Sequence, residues 1–170
     1  MILQKEPVID SSCFVAQDAV IKGNVFIESD TSIWFHAVIR AEETCIRIGK
    51  NSNVQDNCVI HVDPWVNITI GDNVSIGHGA ILHGCKISDH CLIGMGAIVM
   101  NHAVIGKNCI VGAGCVVTEH SKIPDNSLVI GVPGKVIRSL TQEEIDHIHD
   151  NAAHYVKISK EYKALQESRE

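Results

Sequence analysis

The sequence predicts an all-β solenoid of short strands followed by one C-terminal α-helix, and three observations predict it. Aliphatic residues recur every six positions over most of the 170 residues. That period fits neither a helix nor a hairpin meander; it fits a coil that buries its aliphatic side chains against the coils above and below. The position two before each aliphatic residue is small or β-branched, as at Ala37, Ser52, Val74, Ala80, Ala97 and Ala103. Past the repeat, Thr141 and Glu144 form a capping-box pattern ahead of apolar residues three or four apart.

Taken in order, the repeat runs Val15, Ile21, Ile27, Ile33, Ile39, then Ile48, Val54, Ile60, then Ile70, Ile76, Leu82 and finally Ile87, Ile93, Val99, Ile105, Val111, Val117, Ile123. The step from Ile39 to Ile48 is one hexapeptide plus three residues, and the step from Ile60 to Ile70 is one plus a four-residue loop around Pro64 and Trp65. Glycine often follows the aliphatic residue, as at Gly49, Gly71, Gly77, Gly94, Gly106 and Gly112, where a corner is expected to need unusual dihedrals. The repeat is expected to close at Pro124 and the stretch 131–135, because proline stops a ladder. A helix over about 142–166 then presents Ile145, Ile148, Ala152, Tyr155, Ser159 and Tyr162 to the solenoid or to a neighbouring subunit. The chain therefore reads as a solenoid unit, residues 1–140, and a helical unit, residues 141–170.

Composition narrows the function. With 45% apolar and 20% charged residues the chain is a folded globular protein, and its longest stretch free of charged or strongly polar side chains, 91–100, is too short for a spanning helix, which needs roughly 18 residues. Residues 1–10 lack a signal-peptide core, so the expected compartment is the cytoplasm. A net charge of −6 argues against nucleic acid or an anionic membrane as partner. Seven cysteines in a reducing compartment do not suggest a disulfide framework. Six of them, Cys13, Cys58, Cys85, Cys91, Cys109 and Cys115, fall in the small slot and read as buried hydrophobes; Cys45 lies in the break and is left unassigned.

This pattern resembles the hexapeptide-repeat proteins, which implies a left-handed parallel β-helix of triangular section with three hexapeptides per coil. The narrow interior of such a prism accounts for an aromatic content of only 4%. In such a prism equal offsets in successive coils stack about 4.8 Å apart. Ile39, Ile60 and Leu82 share one corner, so Arg40, His61 and His83, each one residue later, form a column. Val54 and Ile76 share another corner, which carries Gln55, Asp56 and His78. Two stacked histidines begin a zinc site but do not complete it. Packing about a threefold axis would bring His78 of a neighbour to His61 and His83, leaving a fourth position open, and would face Arg40 with Asp56.

At these residues the likeness becomes specific. Arg40-Ala41-Glu42, Asn53-Val54-Gln55-Asp56 with His61 five residues on, and the stretch from Gly77 through His78 and His83 to Gly84 resemble the γ-class carbonic anhydrases. The resemblance implies a homotrimer with His61, His78 and His83 as ligands of Zn2+ (Fe2+ or Co2+ as alternatives) and hydroxide on that metal attacking carbon dioxide to give bicarbonate. It implies that Gln55 orients the hydroxide with Asn53 behind it, that Arg40 and Asp56 organise the interface and the bicarbonate, that Glu43 transfers the proton, and that Tyr155 approaches the site from the helix. Two departures stand out: Glu42 occupies a usual aspartate position, and the loop after His61 lacks the family's acidic insertion. Two other functions use such a solenoid: acyl transfer or acyl-CoA thioester hydrolysis with one histidine as base, and a non-catalytic metal-binding scaffold. His36, His90, His102 and His120 read as solvated corner residues, and His147, His149 and His154 as surface or packing residues of the helix.

Overall fold

The computed structural model describes residues 5–168. The first four residues of the N-terminal stretch read for an export signal, and the last two of the 141–170 unit, lie outside them. The chain winds as a left-handed parallel β-helix of about seven turns with one C-terminal helix. Three ladders make its three faces. The first stacks the opening halves of Val20–Ile27 and Val38–Ile48 with Val59–His61, Ile81–His83, Ile98–Val99 and Val116–Val117. The second carries the closing halves of the two long strands, then Ile68–Ile70, Lys86–Ile87, Val104–Ile105 and Lys122–Ile123. The third runs from Phe14–Val15 through Ser32–Ile33, Asn53–Val54, Ser75–Ile76, Leu92–Ile93 and Ile110–Val111 to Ser127–Ile130.

Every aliphatic residue of the repeat from Ile27 to Ile123 is buried, most of them completely. The small slot does more than save space. Thr31 Oγ1 donates to Gly49 O at 2.7 Å, Ser52 Oγ to Gly71 O at 2.9 Å, and the thiols of Cys58 and Cys91 to Gly77 O and Gly106 O at 3.1 and 3.0 Å. A short side chain with a donor thus satisfies a corner carbonyl of the next coil. Burial pushes the Cys58 thiol up to about 11 and the Cys85 thiol up to about 12, as expected of packing residues rather than nucleophiles.

Two expectations about the corners need correction. Gly49, Gly71, Gly77, Gly94, Gly106 and Gly112 are absent from the left-handed backbone positions; they are glycine because a Cβ would strike the next coil, as Gly94 would meet Ala113 N at 2.5 Å. The left-handed corner lies elsewhere and is filled by Gly79, Gly96 and Gly114, by asparagines such as Asn57, Asn73 and Asn108, and by the four corner histidines, His36, His90, His102 and His120. Nor are those histidines all simply solvated. His102 and His120 stack on each other with centroids 4.8 Å apart, and His90 stacks on His149 of the helix at 4.3 Å. Burial, then the His149 charge, lowers His90 below the ordinary imidazole value.

The ladder also continues past Pro124. That proline sits at a corner, where no ladder donor is needed, so Ser127–Ile130 adds a further rung before Lys135–Ser139 turns back antiparallel on it. The helix, Gln142–Glu167, starts at the Thr141 cap with both arms of the capping box made. It packs on the third face against Phe14–Val15, Ser32–Ile33, Asn53–Val54 and Ser75–Ile76. Most of the chain's few aromatics gather there, outside the prism: Tyr155 and Tyr162 meet Trp34 edge-on at 5.5 and 5.0 Å, and Tyr162 lies 5.8 Å from Phe14. Such pairs contribute about 0.5–1.5 kcal/mol each beyond area burial, which holds the helix to this face.

Candidate functional site

Register turns the first corner into a column. Arg40 pairs with His61 and His61 with His83 across neighbouring parallel strands. His61 Nδ1 lies 3.0 Å from His83 Nε2, and the ring centroids are 5.1 Å apart. The remaining nitrogen of each ring is engaged: His61 Nε2 with Glu42 Oε2 at 3.3 Å, His83 Nδ1 with Asn101 Oδ1 at 2.9 Å. Glu42 also pairs with Arg40. Burial, then the Arg40 charge and His83, lowers His61 below the ordinary imidazole value and favours the neutral ring. Glu43 is exposed at the rim of a depression of about 220 Å3 that it lines with Arg40, Glu42, His61, Val62 and Pro64.

The second corner holds the other expected residues. His78 Nδ1 meets Asp56 Oδ2 at 2.8 Å, and the His78 backbone N–H donates to Gln55 Oε1 at 3.2 Å. Gln55 Nε2 donates to Asn53 Oδ1 at 3.0 Å, and Asn53 Nδ2 to Ser75 Oγ at 2.8 Å. Gln55 and Asn53 are buried, so their amides are fixed as a chain. Tyr155 belongs to this corner; burial and then the Asp56 carboxylate raise its hydroxyl above the usual value. Within one chain Arg40 and Asp56 therefore have different partners, Glu42 and His78.

Among the described residues, no group of three or more His, Cys, Asp or Glu side chains able to hold a metal ion forms in the single chain. The donor set nevertheless suits a shared divalent ion. Neighbouring nitrogens on a tetrahedral zinc, with Zn–N of about 2.0–2.1 Å, stand little more than 3 Å apart, close to the 3.0 Å between His61 and His83. If each ring is protonated toward its oxygen partner, the two facing nitrogens carry lone pairs, an arrangement a cation relieves. Glu42, Asp63 and Asn101 were not among the site residues read from sequence. Asn101 comes from the next coil, one position farther along the same corner column.

Comparison with known proteins agrees with this fold. Residues 84–119 match the family model described as bacterial transferase hexapeptide (six repeats). A Methanocaldococcus jannaschii protein named "Probable carbonic anhydrase" is 54% identical over 151 residues, covering 89% of this chain and 95% of that protein. "Gamma carbonic anhydrase 2, mitochondrial" of Arabidopsis thaliana is 37% identical, covering 93% of this chain and 59% of that protein. A crystal structure of a hexapeptide transferase family protein from Anaplasma phagocytophilum superposes with TM-score 0.88 at 36% identity, covering 92% of each chain. The fold and the repeat are those of a hexapeptide-repeat protein. Within that class, this chain belongs to the γ-class carbonic anhydrase family.

Proposed function

We propose that the chain catalyses the reversible hydration of carbon dioxide to bicarbonate as a cytoplasmic homotrimer. A divalent metal, zinc with iron or cobalt as alternatives, would be held between subunits by His61 and His83 of one copy and His78 of the next. The observation that carries this reading is the His61–His83 pair, 3.0 Å apart, with an oxygen against each ring's other nitrogen. Support for a third donor from a second copy comes from the faces. The helix covers the third face, whereas the first presents outward the aliphatic stripe Val20, Val38, Val59, Ile81, Ile98 and Val116 beside the histidine column. Val20, Val59 and Ile81 in that stripe are exposed, which suits a surface that pairs. No described helix is long and apolar enough to cross a membrane.

When bound, a divalent metal supplies hydroxide near neutral pH by lowering the pKa of water to about 7. The protein's part is positional. Gln55, held through Asn53, keeps its second amide hydrogen as a fixed donor beside His78 to orient the attacking oxygen. Arg40 supplies positive charge for bicarbonate and Asp56 steadies His78 through Nδ1. The exposed Glu43 carboxylate passes the product proton to solvent, and Tyr155 walls the Asp56 corner from the helix side. The test is stopped-flow carbon dioxide hydration on anaerobically purified, metal-quantified protein, with its mass in solution measured alongside. A trimer with stoichiometric metal and hydration activity is expected. Acyl-CoA turnover without bound metal would replace the reading with acyl transfer; bound metal without hydration would replace it with a scaffold.

A further inference from the structure

The His83 ring has two nitrogens, and a metal can take only the one without a proton. What decides which nitrogen that is lies one coil away. Asn101 Nδ2 donates to Asp63 Oδ2 at 2.7 Å. An ionised carboxylate only accepts, so the NH2 of Asn101 must face Asp63 and its oxygen must face His83. An amide oxygen also only accepts. The 2.9 Å contact between His83 Nδ1 and Asn101 Oδ1 is therefore an N–H donated by His83. With Nδ1 protonated, the neutral ring carries its lone pair on Nε2, the atom 3.0 Å from His61 Nδ1. Asp63 Oδ1 stands 3.8 Å from that Nε2, too far to compete as a hydrogen-bond acceptor.

The amide has a prepared seat. Gly84, directly after His83, has φ +55, and a Cβ there would strike Asn101 Oδ1 and crowd Val66 Cγ1. Asp63 is held in turn by its loop: Thr44 Oγ1 donates to Asp63 O at 3.3 Å and Val66 O at 3.0 Å, and Cys45 N–H donates to Asn67 Oδ1 at 2.9 Å. The geometry points to Asn101 as a positioning residue that, oriented by Asp63, locks His83 in the Nδ1–H tautomer and so aims Nε2 at the site. The other rings have carboxylates in the same role, Glu42 for His61 and Asp56 for His78. His83 alone is set by a neutral amide, which needs a second group to fix which way it faces.

This inference rests on the reading of His83 as a metal donor, and the experiment keeps the two separable. The variants are Asn101→Leu, which removes the acceptor, and the exchange N101D/D63N, which restores it with the roles of amide and carboxylate swapped. The first readout is the pair of His83 ring 15N shifts in metal-free full-length protein at pH 8. The second is the zinc dissociation constant by competition with a chromophoric chelator. Wild type should show one tautomer, N101L a mixture with zinc bound about 10–100-fold more weakly, and the exchange variant should recover both. Unchanged ring shifts in N101L with zinc affinity within about twofold of wild type would overturn the inference, as would a loss the exchange variant does not recover although it melts like wild type. If wild type takes up no zinc, the proposed function falls, while the ring shifts still decide whether Asn101 sets the tautomer.

Discussion

Replacing Gly94 by alanine, set against Gly96→Asn two residues along the same turn, separates two reasons for glycine in this solenoid. A Cβ at position 94 would lie 2.5 Å from Ala113 N and 2.8 Å from both Gly112 C and Val111 O, all backbone atoms. Comfortable carbon contacts begin near 3.5 Å, so the coils would have to part by roughly 1 Å. That parting stretches the bonds from Gly94 N to Val111 O, now 2.7 Å, and from Leu92 N to Cys109 O, now 2.9 Å, beyond useful length. Two or three ladder bonds at about 1 kcal/mol each, plus overpacking of similar size, make about 3 kcal/mol or more. For a chain of this size that lowers the melting temperature by about 6–12 °C. Position 96 has φ +66 and open space around its missing Cβ, and asparagine holds the equivalent left-handed corner at Asn57, Asn73 and Asn108. Gly96→Asn should therefore cost less than about 1 kcal/mol. Calorimetry at one protein concentration decides the matter. Equal melting temperatures for the two variants, or a lower one for Gly96→Asn, would refute the account of coil spacing.

The shared site predicts complementation. His78→Ala and His83→Ala should each lose the metal, whereas trimers refolded from an equal mixture should regain about a quarter of the wild-type content, because one kind of mixed interface has all three donors; recovery of none, measured by elemental analysis, contradicts an intersubunit site. Acid should act on the helix start. Arg138 and then the Thr141 N–H hold the Glu144 carboxyl at about 2, against an ordinary value of about 4.3, so its stabilising effect is complete above the ordinary value and is lost as pH falls through about 2. In Glu144→Gln the helical circular dichroism signal should depend less on pH between about 4.5 and 2 than in wild type. Thiol labelling should be selective: native protein treated with iodoacetamide should take one adduct by mass spectrometry, at the partly exposed Cys45, and unfolded protein all seven. Rapid native modification of Cys58 or Cys85 would show that the coils open far more readily than their packing implies.

What could be read from the sequence followed one rule, that a solenoid converts spacing into position. The six-residue period places Ile39, Ile60 and Leu82 on one corner, and one residue onward stand Arg40, His61 and His83, which the strand register pairs. The same rule put Asp56 and His78 at one offset, where they meet at 2.8 Å. The glycines after the aliphatic residues misled because their positions show where a side chain is absent but not why. Conformational freedom and close approach both select glycine, and only the distance to the next coil distinguishes them. Lys135–Ser139 was unreadable for another reason: antiparallel return breaks the period, and its exposed side chains leave no inward pattern.

Asn101 marks the boundary between these cases. Val99 stacks on Leu82, so the corner that carries His83 continues one coil farther, and the count that found His61 and His83 reaches Asn101 two residues past Val99. It was missed because the count followed side chains at one offset, while the column steps aside at Gly84, where nothing protrudes and Asn101 lies across the vacant space. A site in a stacked fold is thus assembled from columns and from their gaps. The residue that orients a donor need not share the donor's offset; here it lies across a position that the donor's own coil has left empty.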